Sequence, residues 1–387
     1  PSITIRYSLD IAGTKIIYES PLTYKWNDPV DGELYRPFVI APPAFVNIPE
    51  SVYIFNGDRP KTIELTVKNT TSELNGSVVL EAPKGWEVTP TSIPVSLSKR
   101  GEEQTYKFSV KPPESEAVGD VRGKVMIESE VYTQSQQIIT YDHIPTQTLM
   151  PESKAKVVKL DIKKVGDKIG YITGTGDVIP ASLREIGYEV TEMTEDEVTK
   201  EKIEDFDAIV LGIRALNTNE RSDFYMPVLL EYVERGGTLV IQYNTSWGLK
   251  TSNFSPYPLK LSRDRVAEED ATIEILAPEH PVLNTPNTLT SADFDYWVQE
   301  RGLYFPNEWN EEYTAILSSH DTGETNKNGG LLVAPYGDGY YVYSGYSFFR
   351  QLPAGVPGAY RLFVNMVSLR QNLPSKGRKK SRKQDSK

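Results

Sequence analysis

Hydrogen-bonding and aromatic side chains gather where the apolar runs of this chain end. Arg214 and Asn217 follow the run 208–213, and Asn244, Ser246 and Trp247 follow the run 238–243. Gly174, Gly176 and Asp177 come after KIGYI, and Tyr346 comes after YYVYSG. Brought together at one edge of a sheet, these nine residues would supply donors, acceptors and an aromatic wall, the fittings of a pocket for a neutral polyol. A nucleophile with its base is missing from the set. A serine hydrolase would need Ser246 or Ser347 beside an imidazole such as His320, and no G-x-S-x-G elbow occurs. The expectation is therefore a ligand pocket with no catalytic residue, no metal ligand and no cofactor. A small-molecule hydrolase or isomerase built on Asp177, Arg214 and Asn244 stands as the alternative.

Metal and phosphate chemistry find little support. The three histidines, His143, His280 and His320, lie forty or more residues apart, whereas a zinc site usually takes two ligands close in sequence. With no cysteine in the chain, disulfides, zinc thiolates, iron–sulfur ligation and a thiol nucleophile are excluded. His280, before Pro281, reads as a turn residue. The segment Thr173-Gly174-Thr175-Gly176-Asp177 opens a helix after a strand, as phosphate-cradling loops do. Ile179 stands where a dinucleotide fingerprint has its third glycine, and no Gly-Lys-Ser/Thr follows. The loop is thus a tight turn, or one that holds an anion or a sugar hydroxyl with its amides.

The elements that must position these residues centre on 205–246. Residues 208–213 form an almost unbroken apolar run, expected as a strand buried on both faces of a parallel sheet. Tyr225, Val228, Leu229 and Tyr232 recur at helical spacing, with Glu231, Glu234 and Arg235 on the other face and Gly236-Gly237 as the stop. Residues 238–243 are then a second buried strand, giving a βαβ unit, and in open α/β sheets ligands bind beyond the carboxyl ends of the strands. KIGYI and YEVTEMT are two further strands, joined by a helix with Pro180 in its first turn and Gly187 at its end. Thr194, followed by Glu195, Asp196 and Glu197, caps another helix.

Ahead of this region the periodicity is that of strands. Residues 1–40 alternate apolar and polar and end in turn signals, too few strands to close a sandwich, and are expected as strands left from an upstream β domain. Residues 41–151 carry short strands with turn signals every 8 to 12 residues, the pattern of an immunoglobulin-like β-sandwich. Trp86 is a plug for that sandwich core or a platform for a sugar ring. The chain is 39% hydrophobic and 25% charged, ordinary for a globular protein, and no apolar stretch is long enough to span a membrane. Its net charge of −11 conceals a basic tail, 374–387, with seven Lys/Arg against one Asp, which leaves −17 on the rest. An acidic body of this kind excludes a nucleic-acid groove, and the tail reads as a solvated end. The aromatics between 291 and 309 fill the core beneath a long connection, or hold a sugar or partner domain. The opening at Pro1, directly in strand-like sequence, suggests a piece of a longer protein.

Residues 62–69 (TIELTVKN), 78–83, Gly85-Trp86 with Glu87-Val88, and Gly119 resemble the alpha-galactosidase-associated immunoglobulin-like family. KIGYI with LREIGYEV, FDAIVLG, LLEYVERGGTLVIQYN, EHPVL at 279–283, DFDYWVQERGLYFPNEW and GLLVAPYGDGYYVYSG resemble the class I glutamine amidotransferase-like superfamily, in its trehalose-utilisation (ThuA-like) branch, across 152–373. This resemblance implies a flavodoxin-like parallel sheet with helices on both faces. It also implies a nucleophile on a sharp turn after TLVIQY, where Tyr243 and Asn244 stand, and a histidine after YYVYSG, where Gly345-Tyr346-Ser347 stand, so the glutaminase machinery is lost. The order of modules resembles the C-terminal half of large LmbE/PIG-L-type deacetylases, whose zinc-dependent chemistry lies in an N-terminal Ala-His-Pro-Asp-Asp-Glu loop absent here. By that resemblance the chain is a non-catalytic accessory region, periplasmic or extracellular, that binds glycan, docks an upstream catalytic domain or acts as a spacer.

Overall fold

The computed structural model describes residues 3–141 and 143–369; the basic tail and the last residues of the region expected to run through 373 lie outside them. Strands dominate, and the chain forms two compact units, Pro1–Lys159 and Leu160–Lys387. The division falls past the expected join at 151/152 because the strand Lys154–Leu160 pairs with Ala117–Ile127 as part of the first unit's sheet.

The first unit is a two-sheet β-sandwich. One sheet runs Ile93–Leu97, Leu74–Glu81, Ala117–Ile127, Lys154–Leu160 and Val52–Asn56, and the other runs Ala44–Asn47, Lys61–Asn69, Glu103–Lys111 and Glu87–Thr89. Strict alternation along Lys61–Asn69 turns Ile63, Leu65 and Val67 inward, and along Glu103–Lys111 it turns Tyr106, Phe108 and Val110 inward to meet them. Gly85, at φ +93°, makes the turn that folds Trp86 into this core. There Trp86 is 8% exposed and lies edge-on to Phe55, with ring centroids 4.9 Å apart. It is a core plug and has no face to offer a sugar. The first forty residues form two hairpins, Thr4–Ile11 with Thr14–Pro21 and Thr23–Asp28 with Gly32–Pro37, four strands where the sequence suggested two or three.

The second unit is built on a seven-stranded mixed sheet. Its strands are β1 (Lys168–Ile172), β2 (Glu189–Met193), β3 (Ala208–Leu211) and β4 (Thr238–Gln242), then, after an inserted hairpin of β5 (Leu259–Val266) and β6 (Gly302–Trp309), β7 (Thr314–Ala315), β8 (Leu331–Tyr336) and β9 (Gly339–Ser344). The sheet order is β2-β1-β3-β4-β9-β8-β7, parallel from β2 to β9 and antiparallel from β9 to β7. The helix α1 (Ile179–Glu185) follows β1, with Pro180 in its first turn. The helix α2 (Ser222–Glu234) joins β3 to β4 and buries Tyr225, Met226, Leu229, Tyr232 and Val233 against Ile209, Leu211, Leu239 and Ile241, as its periodicity required. The helix α3 (Pro357–Val367) packs against β3 and β4. Thr194 caps only a single 3-10 turn, Glu195–Glu197; the helix that follows, Lys200–Ile203, takes Thr199 as its cap. No helix among the described residues is long and apolar enough to cross a membrane.

Trp86→Ala should cost the first unit about 3–5 kcal/mol, the price of a large aromatic cavity, seen as a lower urea midpoint. A second expectation concerns His280, whose Nδ1 accepts from the Val282 amide at 3.1 Å to cap the helix Pro281–Asn284. Burial holds its pKa below the ordinary 6.5. The neutral ring therefore contributes its full stability above 6.5, and that contribution is lost as pH falls through 6.5 toward the lower folded value. The urea midpoint of the wild type should drop on acidification through this window, and His280→Asn, which keeps a cap acceptor, should flatten that part of the profile.

Candidate functional site

The carboxyl edge of the sheet is held by side chains bonded to one another. Asp177 accepts from the Tyr171 hydroxyl at 2.7 and 2.6 Å and from the amides of Ile179 at 3.0 Å and Ile213 at 3.3 Å. The Tyr171 hydroxyl in turn accepts from Gln242 Nε2 at 2.8 Å. Gly174 lets its loop lie on the next strand end: a Cβ there would sit 2.2 Å from the Ile213 carbonyl oxygen, and Thr175 N donates to that carbonyl at 3.1 Å. The loop amide at Thr175 is thus spent internally, as in a tight turn. Gly176, at φ +93°, completes the turn with open space around it.

Asn217 and Asn244 are spent in the same way. Asn244, fully buried, accepts from Leu216 N at 2.9 Å and donates to the Gln242 carbonyl at 2.9 Å. Asn217 bridges to Thr245 N at 2.9 Å and to the Trp247 carbonyl at 3.1 Å. Tyr346 is 1% exposed and packed against Trp297 and Phe305 in the core. Of the nine expected residues, Arg214, Ser246 and Trp247 remain open to a ligand. The pocket of Asp177, Arg214 and Asn244 is not assembled, because two of its three members serve as tethers.

Arg214 is distinctive. It adopts φ +56°, left-handed backbone that an arginine enters at a cost of about 1–2 kcal/mol. Its Nε is buried without an acceptor. The sharp turn expected at Tyr243 and Asn244 is absent, since neither has a positive φ; the strained residue stands at the neighbouring strand end. Tyr243 is 8% exposed and stacks on Tyr304, centroids 6.1 Å apart, and on Phe349 at 5.4 Å. Burial raises the pKa of its phenol, against the opposing pull of the Arg214 charge, and Glu300, Arg350 and Tyr304 act on it as well.

The inserted hairpin closes a cleft over this edge. Trp247, Arg263, Arg265, Glu300, Leu303 and Tyr304 line a cavity of about 370 Å³, the size of a small-ligand site. The β5–β6 pairing breaks register between Leu261 and Asp264, and Tyr304, opposite, takes φ +55°. Bulges of this kind re-aim side chains. Arg263 lies 4.9 Å over the Trp247 ring, and Trp247, 52% exposed, meets Tyr304 edge-on at 5.3 Å. Glu300 is held by Arg350 Nε at 2.8 Å. Sequence reasoning missed Arg263, Arg265, Glu300, Leu303, Phe349 and Arg350. The one available signal was two arginines on alternate positions of the run LKLSRDRV.

Comparison with known proteins bears on the first unit. Residues 56–128 match the family described as the NPCBM-associated, NEW3 domain of alpha-galactosidase. That stretch lies within the expected immunoglobulin-like module. No curated protein matches the chain. Among solved structures, native alpha-2-macroglobulin from Escherichia coli is 15% identical over 31% of this chain and 17% of its own, with a TM-score of 0.21. Salmonella alpha-2-macroglobulin reacted with methylamine is 15% identical over 35% and 9%, with a TM-score of 0.23. A family 123 glycoside hydrolase from Clostridium perfringens is 8% identical over 56% and 41%, with a TM-score of 0.20. At these scores the likenesses carry no argument, and the chain spans less than half the length of each.

Among the described residues neither Ser246 nor Ser347 is hydrogen-bonded to an imidazole, and the buried Ser347 Oγ has no partner. No group of three His, Cys, Asp or Glu is placed to hold a metal among those residues. The cleft offers aromatic surface, cationic donors and one paired carboxylate, a set suited to binding. Asp177→Ala, which strips the acceptor from the buried Tyr171 hydroxyl, should destabilise the second unit by about 2 kcal/mol. Arg214→Gly should fall within about 1 kcal/mol of wild type, because relief of the left-handed backbone offsets the entropy glycine adds to the unfolded chain. Urea titrations of both variants check the pair.

Proposed function

We propose that this chain is a non-catalytic carbohydrate-handling region, which binds or positions a glycan in the cleft of its second unit. The observation that carries the reading is the cleft at the carboxyl edge of the sheet, walled by Trp247 and Tyr304 and with no serine–imidazole pair beside it. Aromatic faces suit the C–H side of a sugar ring, and guanidinium groups suit its oxygens. The match of residues 56–128 to a domain described with alpha-galactosidase supports a carbohydrate setting.

The same reading takes the second unit as a flavodoxin-like, amidotransferase-like domain of the ThuA-like type; its support is the β2-β1-β3-β4-β9 parallel order together with the sequence pieces noted above. It takes the parent as a periplasmic or extracellular LmbE/PIG-L-type deacetylase, on the order of modules in the sequence. The zinc chemistry would then belong to an upstream catalytic domain that the present region serves by holding substrate or by docking.

A glycan array with the full chain, followed by calorimetry on its hits, tests the proposal. Binding should appear, and Trp247→Ala should weaken it roughly tenfold, since a stacked aromatic contributes about 0.5–1.5 kcal/mol beyond buried area. Turnover of esters, amides or amino-sugar acetamides by the chain alone would sink the non-catalytic reading; an array without hits would sink the glycan reading.

A further inference from the structure

The charges of the cleft are arranged unlike those elsewhere on the second unit. In the depression between the helix Lys200–Ile203 and α2, Lys200 pairs with Glu231, and Arg235 pairs with Glu231 and Glu204. In the hollow beside the start of β5, Lys260 pairs with Glu308. The cleft's own carboxylate, Glu300, is already taken by Arg350. Arg263 and Arg265 have no carboxylate partner among the described residues, and Asp264 between them makes no ion pair with either. Arg214, whose charge acts on the Tyr243 phenol that stacks on Tyr304, has a buried Nε that lacks an acceptor. Two unmatched positive charges lining one cavity, in a chain with 53 acidic and 42 basic residues, are a local field of the sign opposite to the whole. Such a field concentrates small anions, while the acidic body repels nucleic acid.

Geometry supports the same conclusion. Arg263 is already laid on the Trp247 ring at 4.9 Å, so less side-chain freedom is lost when it meets a ligand. The β5 irregularity that frees Ser262 and Arg263 from the ladder is braced by the Ser262 hydroxyl, which donates to the Phe305 carbonyl at 2.7 Å and accepts from Asp264 N at 2.9 Å. Arg350, which neutralises Glu300, also bonds Gln299 at φ +67°. With Tyr304, two of the non-glycine residues in left-handed backbone line this cavity or hold its lining, and strain of this kind collects at binding sites.

We propose that the cleft recognises its saccharide through an anionic substituent, a carboxylate or a sulfate, gripped by Arg263 and Arg265 while the sugar ring lies beside Trp247 and Tyr304. The inference rests on the glycan reading and adds the class of glycan. The test is calorimetry of the full chain with a uronic-acid trisaccharide, its carboxyl-reduced neutral counterpart, a sulfated trisaccharide and inorganic sulfate. At least one acidic sugar should bind about tenfold or more tightly than the neutral one, as a charge-assisted contact provides, and the preference should fade as salt rises. Arg263→Gln with Arg265→Gln should reduce the acidic sugar to the affinity of the neutral one, whereas Trp247→Ala should weaken both. The two arginines are exposed, so an unchanged melting temperature of the double variant separates loss of grip from loss of fold. Equal affinity for acidic and neutral sugars would overturn the charge proposal and leave the glycan reading standing. Inorganic sulfate binding as tightly as the sulfated sugar would overturn it too, by marking an adventitious anion site. Failure of every sugar to bind would overturn the glycan reading itself.

Discussion

The carboxyl edge of the second unit depends on one hydrogen-bonded knot. Tyr171 on β1 donates to Asp177, Asp177 accepts from the backbone at Ile213 after β3, and Gln242 at the end of β4 donates to the Tyr171 hydroxyl. Asn244 carries the connection on, from the Gln242 carbonyl to the Leu216 amide. Burial drives the Tyr171 pKa far above its ordinary value, so its hydroxyl stays a donor at any physiological pH and the tether does not titrate from that side. Each of these groups, left unpaired in the interior, would carry a desolvation cost of about 1–3 kcal/mol. Three adjacent strand ends are thereby fixed relative to one another, and the backbone between them is spent on the fold.

That economy explains where the cleft comes from. With the strand ends bonded to themselves, a ligand must be met by groups brought in from outside the sheet, and the long insertion between β4 and β7 brings them. The β5–β6 hairpin cannot do this as a regular ladder, since alternation would commit every second side chain to the core. Its broken register turns Arg263 and Tyr304 away from that alternation and toward Trp247. At the end of β3, Arg214 takes a left-handed backbone. The rigid sheet thus supplies the floor, and irregular backbone supplies the walls.

Periodicity was enough to reveal the regular parts. The helical spacing of Tyr225, Leu229 and Tyr232, the alternation of Ile63, Leu65 and Val67, and the glycine stops at Gly187 and Gly236 all report burial, and burial is what decides those elements. The site was less legible because residue type does not disclose commitment. Asp177, Asn217 and Asn244 have the right chemistry at strand ends, but a carboxamide there serves a loop amide of its own chain as readily as a ligand. Tyr346 follows a strand as Arg214 does, yet the neighbouring Trp297 and Phe305 close over it. Arg263 and Arg265 lay hidden because alternation placed them on an outer strand face, and nothing in LKLSRDRV announces a bulge.

The balance of charge also bears on what such a cleft can do. A general acid or base must exchange a proton at working pH. Glu300, the one carboxylate lining the cavity, is paired with a guanidinium at 2.8 Å, and burial raises the pKa of the Tyr243 phenol. The carboxylate is thus committed to a partner, and the phenol resists ionisation. What remains open in charge terms is the pair Arg263 and Arg265: unmatched guanidinium groups lining one cavity gain most from an incoming anion.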